Sequence, residues 1–314
     1  MDDYGSDEEV KNVQVKRLCQ LMTLPITLTE LNCFGSKLTR LPELPDTLRI
    51  LKCAYNHLSH LPKLPALTYL DIRSNDFKTV RGLPPSLTYL SCGTNKIVEL
   101  SNLPHSLNRL NCGNNQLTKL ELPPHLEELY CSDNQIQSLD LPSGLKSLHC
   151  CLNKIETLIL PDTLEKLDCT MNKIRSLKLN ERLIKVSLSY NPLVPILPKG
   201  LQMIDIQFTK IENCFEFADN MKGGIFLYGT PLYRKIKAVV KTEERITCPV
   251  VIKMAFQVIR NIEHRFKHTY YSMKARTRLM SWMWRAREKI AMKKYHPDEL
   301  FKRLDYGFDA VEQW

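Results

Sequence analysis

Long hydrophobic runs are missing from this 314-residue sequence: no stretch approaches the ~18 consecutive apolar residues that a membrane-spanning helix needs. An integral membrane protein is therefore not expected. The sequence begins Met1-Asp2-Asp3, with Asp7, Glu8 and Glu9 close behind, where a signal peptide is basic and then apolar. Secretion by the standard route is not expected either, and a cytoplasmic, intracellular location is. CxxC and HExxH spacings are absent, as are a Gly-rich phosphate loop, a nucleophile elbow and a paired-carboxylate arrangement. These absences predict no metal, no cofactor, no small-molecule substrate and no enzymatic activity. Eleven cysteines are present, but they are too evenly spread along too long a chain for a disulfide-stapled mini-protein, so a reducing compartment fits better.

What is present is unevenly distributed. The net charge is +10. Residues 1–10 hold five acids and no base, and residues 11–20 add three bases. Residues 233–314 alone carry 19 bases and 9 acids, a surplus of +10, so everything before them cancels. Sixteen of the 18 prolines lie between Pro25 and Pro231. Charge and proline together predict an acidic tail over 1–20, a neutral body over 21–232 and a basic region over 233–314.

The neutral body is a repeat array. The segment Leu48–Leu58 reads LRILKCAYNHL, and the pattern LxxLxCxxNxL returns at Leu107–Leu117 and, closing on isoleucine, at Leu164–Ile174. Its cysteine slot runs Cys33, Cys53, Ile72, Cys92, Cys112, Cys131, Cys150, Cys169, Leu188, Ile206, in steps of 18 to 20 residues. A degraded eleventh unit closes at Leu227–Leu232. The period predicts one short parallel strand per unit, around the LxC triplet, with leucines and cysteine inward. The slot three residues later holds Asn56, Asn75, Asn95, Asn115, Asn134, Asn153, Asn172 and Asn191, with Ser36, Thr209 and Thr230 at the ends. A buried amide there is expected to satisfy backbone groups of its own and neighbouring coils. The opposite side of each unit, such as Leu41-Pro42-Glu43-Leu44-Pro45, predicts extended or polyproline-like chain rather than helix.

This pattern is identified as the leucine-rich repeat, at the short end of its range. In the form LPxLPxxLxxLxCxxNxL it resembles the repeats of secreted effectors from enteric bacterial pathogens and those of giant-virus leucine-rich-repeat proteins. The resemblance covers about residues 24–232; cysteine in the strand slot departs from the aliphatic bacterial consensus and leans towards the viral group. The stretch Lys294–Leu300 is similar to short tails of those viral proteins. The resemblance implies an α/β-type repeat solenoid: a leucine-rich-repeat horseshoe with a parallel β-sheet on its concave face, followed by a small basic α-helical region. It implies an intracellular setting, including that of an infected host cell.

Some bacterial members carry a ligase domain with a catalytic CxD. Cys131-Ser132-Asp133 has that spelling, but Cys131 falls in the inward strand slot, where a thiol is inert. The cysteine column reads as small buried hydrophobes, with Cys151 alone turned to the other face. His264 and His268, four apart, lack a third ligand and read as a solvated or structural pair. In the basic region, Val251, Met254, Ala255, Val258, Ile262 and Phe266 form a stripe at helical spacing. If 270–292 is helical, Lys267, Lys274, Arg278, Arg285 and Lys289 share a sector of roughly 60°, a candidate basic patch. A cap on the end of the solenoid is the plain reading of this region; contact with nucleic acid or an anionic membrane is the other.

Function is expected on the outward strand positions. Tyr69, Tyr89, Arg109, Tyr130 and His149 occupy them, and nothing in the repeat core demands those residue types there. They predict a protein-binding site on the concave face, for a partner that the sequence does not identify. The alternative is an adaptor whose basic tail targets it while the repeats hold the protein.

Overall fold

Each repeat folds its second leucine and the two residues flanking it into a three-residue strand, because alternation buries the leucine and turns both neighbours out. The computed structural model describes residues 12–14, 24–193, 198, 201–211, 225–240, 254–255, 257–262, 264–269 and 271. The chain divides into two units, Met1–Ser187 and Leu188–Trp314. Among the described residues no helix is long and apolar enough to cross a membrane.

The first unit carries β1 (Asn12–Gln14), β2 (Glu30–Asn32), β3 (Ile50–Lys52), β4 (Tyr69–Asp71) and β5 (Tyr89–Ser91). It continues with β6 (Arg109–Asn111), β7 (Glu128–Tyr130), β8 (Ser147–His149), β9 (Lys166–Asp168) and β10 (Lys185–Ser187). Each pairs in parallel with the next, in sequence order and without a register slip: Leu31 faces Leu51, Leu51 faces Leu70, and so on to Leu167 and Val186. The strand sits one residue earlier than the LxC triplet; the cysteine follows it, and its backbone N–H still donates across to the next coil, as from Cys33 to the Lys52 carbonyl at 2.8 Å. Both leucines of the repeat and the cysteines are sealed in the core. Residues 24–193 contain no helix. Their proline side turns instead, with Leu48 N–H donating to Pro45 O and Leu107 N–H to Pro104 O.

The asparagine column joins the coils. Asn134 is typical: its Oδ1 accepts from Leu117 N–H at 3.0 Å, and its Nδ2 donates to the carbonyls of Cys112 (3.1 Å), Cys131 (3.0 Å) and Ser132 (3.3 Å). Two of those four partners belong to the preceding coil. Asn56, Asn75, Asn95, Asn115, Asn153 and Asn172 repeat the arrangement. The bonds hold a costly turn: the residue before each asparagine, from Tyr55 to Met171, is left-handed, with φ between 53° and 58°. That conformation costs about 1–2 kcal/mol in a residue with a Cβ. Asn95 and Asn115 alone in this run are half-buried, and both lie two residues after a glycine, Gly93 and Gly113. A second tie runs on the far side, where the Thr47, Ser106 and Thr163 hydroxyls each donate to carbonyls of the previous coil at 2.6–2.8 Å.

In the second unit β11 (Met203–Asp205) and β12 (Ile225–Phe226) pair in parallel, and α1 (Pro231–Val240) follows. Thr230, at the last asparagine slot, caps that helix: its hydroxyl accepts from Tyr233 N–H at 2.9 Å and donates to Leu227 O, with Pro231 in the first helical position. Helical residues recur at 257–262 and 264–269. There Ala255, Ile259 and Phe266 are buried while Met254 and Val258 are exposed, so the apolar stripe is rotated from the expected one and gains Ile259.

Cys33, Cys53, Cys92, Cys112, Cys131, Cys150 and Cys169 are free and fully buried. Burial pushes the Cys92 and Cys131 thiols up to about 12 and raises Cys112, Cys150 and Cys169 as well. For Cys53 the adjacent Cys33 thiol is the first cause and burial the second. Half-buried Cys151 is also raised by burial, with the Ser132 hydroxyl acting against it. Two outcomes follow. In urea denaturation Asn115→Ala lowers stability by about 1–3 kcal/mol, because it strands buried backbone groups, and Ser36→Ala, whose hydroxyl donates to Phe34 O at an exposed site, costs less; equal losses would overturn the slot assignment. With Cys19, Cys214 and Cys248 replaced by Ser, native alkylation at pH 8 modifies Cys151 first, more slowly than a free thiol, and the seven column cysteines only after unfolding. Rapid native labelling of Cys112 would contradict the inward column.

Candidate functional site

Because the strands hold one register, each outward position forms a column running across the sheet. The column before the buried leucine brings Tyr69, Tyr89 and Arg109 side by side on β4, β5 and β6. The two rings are parallel, 1° apart in plane, with centroids at 4.2 Å. Lys52 Nζ lies 5.8 Å from the Tyr69 centroid and pairs with Glu30 at 2.6 Å. At the other end Arg109 Nη2 pairs with Glu128 Oε1 at 3.2 Å. Burial, with the neighbouring Tyr89 phenol, pushes the Tyr69 hydroxyl up to about 12, so it stays a neutral donor at physiological pH.

The column after the leucine holds Tyr130 and His149, stacked at 4.7 Å and 11°. Tyr130 thus does not extend the Tyr69–Tyr89–Arg109 row; its neighbour across β6 is Asn111. This column is also less open than simple alternation predicts. Asp71, Ser91 and, in the first column, Ser147 are buried, although they point to the outward face. Asp71 is clamped by Arg73, whose Nε and Nη2 donate to its two oxygens at 2.9 and 2.8 Å, and that carboxylate raises the guanidinium further. The two serines are short side chains between longer column neighbours: Ser91 between Asp71 and Asn111, Ser147 between Glu128 and Lys166.

Sequence reasoning had not singled out Arg73, Asp71, Lys52 or Glu128 as site residues. Glu128 stood beside Arg109 in the same column, so charge alternation along the columns was the signal for that pair. Arg73 lies past the strand, where no alternation rule places it. In the second unit, Tyr190 stacks on Phe208 at 4.4 Å, and Tyr228 meets Phe208 edge-on at 5.5 Å. Lys267 is exposed on the helical residues of that unit; Lys274, Arg278, Arg285 and Lys289 lie outside the described residues. Among the described residues, no three His, Cys, Asp or Glu side chains gather as metal ligands.

His149 gives a pH handle. Burial is the largest cause lowering its pKa, against the pull of Asp168. An imidazole harder to protonate folded than unfolded contributes stability above its ordinary value of about 6.5, and that contribution is lost as pH falls through it. His149→Phe keeps a ring against Tyr130 and removes the titration. Urea midpoints are therefore expected to fall more between pH 7 and pH 5.5 for the unmodified chain than for His149→Phe; parallel curves would show that His149 is not held neutral.

A leucine-rich-repeat family model matches residues 125–148, the turn and strand of one unit. Among solved structures, YopM from Yersinia enterocolitica is similar at 33% identity over 60% of this chain and 53% of that one, with a TM-score of 0.48. The functional domain of InlJ from Listeria monocytogenes, described as including a cysteine ladder, is similar at 26% identity over 66% of this chain and 54% of that one, with a TM-score of 0.55. The Listeria monocytogenes internalin inlF shares the fold at 19% identity, 65% and 68% coverage and a TM-score of 0.55. The chain spans about half the length of the first two. No curated protein matches by sequence. With its register, its cysteine and asparagine columns and the InlJ domain in view, the chain carries leucine-rich repeats stacked as a solenoid.

Proposed function

We propose that this protein is a non-enzymatic scaffold that binds a protein partner on the outward, concave face of its sheet, centred on Tyr69, Tyr89 and Arg109. Leucine-rich-repeat folds serve protein–protein interaction in general, and here one observation carries the reading. Two phenol rings and a guanidinium stand in register on the face that the core does not use, partly exposed, with the Tyr69 hydroxyl neutral. Tyrosine and arginine offer large contact area with a polar tip, the chemistry of interface hot spots. The cations here are already paired with acids, so the centre presents no net charge and suits a partner surface of mixed character. Tyr130 and His149 form a second platform in the neighbouring column, on β7 and β8. In this reading the repeats occupy 21–232, and the basic region 233–314 is a separate module.

The test uses a photo-crosslinking residue at position 89 or at the exposed Lys119, in cells that make the full chain. A discrete adduct from position 89 and none from 119 supports the face; equal adducts, or none from 89, overturn it. Once that adduct is identified, Tyr89→Ala with Arg109→Ala is expected to weaken its binding by about 2 kcal/mol or more while the melting curve moves little. A variant that loses stability and keeps the partner would make the stack a stiffening device.

A further inference from the structure

Lys166 and Lys185 stand directly opposite each other on β9 and β10, in register and exposed. Adjacent parallel strands are about 4.8 Å apart, and like charges facing across them are destabilising. Along the same face Lys52, Arg73 and Arg109 each hold an acid. Lys166 and Lys185 have no acid within ion-pair distance among the described residues. Asp168, two residues along from Lys166, is turned to its own loop, where it accepts from Thr170 N–H at 3.1 Å. The Tyr130–His149 stack lies alongside, with His149 facing Asp168 across β8 and β9.

We infer that Lys166 and Lys185 form an anchor for an acidic segment of the protein partner, with the Tyr130–His149 rings taking an apolar residue beside it. This rests on the reading of the sheet face as the binding surface and supplies the partner's chemistry. A carboxylate between the two ammonium groups removes their repulsion. The surroundings select a discrete acidic group over a polyanion: Glu128 and Asp168 flank the lysines, and the remaining cations of the face are neutralised. A nucleic-acid strand needs a continuous cationic track that this face lacks.

Fluorescence anisotropy of the full chain with a dye-labelled peptide alternating Glu and Gly tests it, beside a Gln–Gly peptide and a short single-stranded DNA. The acidic peptide binds more tightly than the Gln peptide, and Lys166→Gln with Lys185→Gln weakens it about tenfold or more, in line with loss of a close charge pair. The control, Lys173→Gln with Lys178→Gln, removes the same charge from exposed positions off the strands and changes affinity less than about twofold, as expected of unpaired surface charge. Circular dichroism checks that each variant folds. Equal losses in the two double variants, or none in the first, overturn the anchor; so does DNA that binds more tightly than the peptide and loses the same factor with Lys166→Gln and Lys185→Gln. If the position-89 adduct persists while the lysine variant has no effect, the acidic anchor fails and the binding face stands.

Discussion

The fold depends on one side-chain amide used the same way in coil after coil. A strand of three residues makes too few backbone bonds to fix a turn, and the left-handed residue that follows each one is unfavourable by itself. The asparagine amide supplies what the turn lacks: two carbonyls of its own coil, one carbonyl of the coil before, and an N–H of that coil for its oxygen. Serine or threonine at this position has one hydrogen to donate and cannot make the same set. Among the described residues the Thr209 and Thr230 hydroxyls accordingly donate within their own coils, to Ile206 O and Leu227 O at 2.7 Å, and the Thr230 oxygen accepts from Tyr233 N–H to start a helix.

With the coils tied by asparagine on one side and by Thr and Ser hydroxyls on the other, and the interior filled by leucine and cysteine, the outward positions carry none of the fold's requirements. Their chemistry is set by neighbours in the column. The acid–base pairs at Lys52, Arg73 and Arg109 neutralise one stretch of the face, the stacked rings build two platforms, and the lysines at 166 and 185 leave one place charged.

Much of this was legible in the sequence, because the repeat states which residue types must be buried. The period located β2 to β12 within one residue but missed β1, which lies in the stretch read as an acidic tail, and the Tyr69–Tyr89–Arg109 row followed from counting outward positions. What escaped depends on side-chain length and on the next coil. Alternation put Asp71 and Ser91 in the open; the structure buries them, one under an arginine two residues on and the other between its column neighbours. The hydroxyl tie through Thr47, Ser106 and Thr163 was invisible because the slot also holds Ala66, His125 and Gly144, which break any consensus. The half-burial of Asn95 and Asn115 was hidden because the repeat pattern leaves the position two residues earlier, Gly93 and Gly113, unspecified. In the basic region, helical spacing found Ala255 and Phe266 but could not fix the rotation that buries Ile259.

Unbroken register has a consequence for how such a chain changes over generations. Loss or gain of one residue within a strand turns that coil's leucine onto the wrong face, while the turns absorb it elsewhere, as steps of 18 to 20 residues show; loss or gain of a whole coil only shortens or lengthens the sheet by one strand spacing, about 4.8 Å. Unequal recombination between neighbouring coils makes the second kind of change. The distance between the aromatic pair on β4 and β5 and the lysine pair on β9 and β10 is therefore a quantity that heredity adjusts in fixed increments, like a ruler with one mark per coil, while the chemistry at each end stays the same.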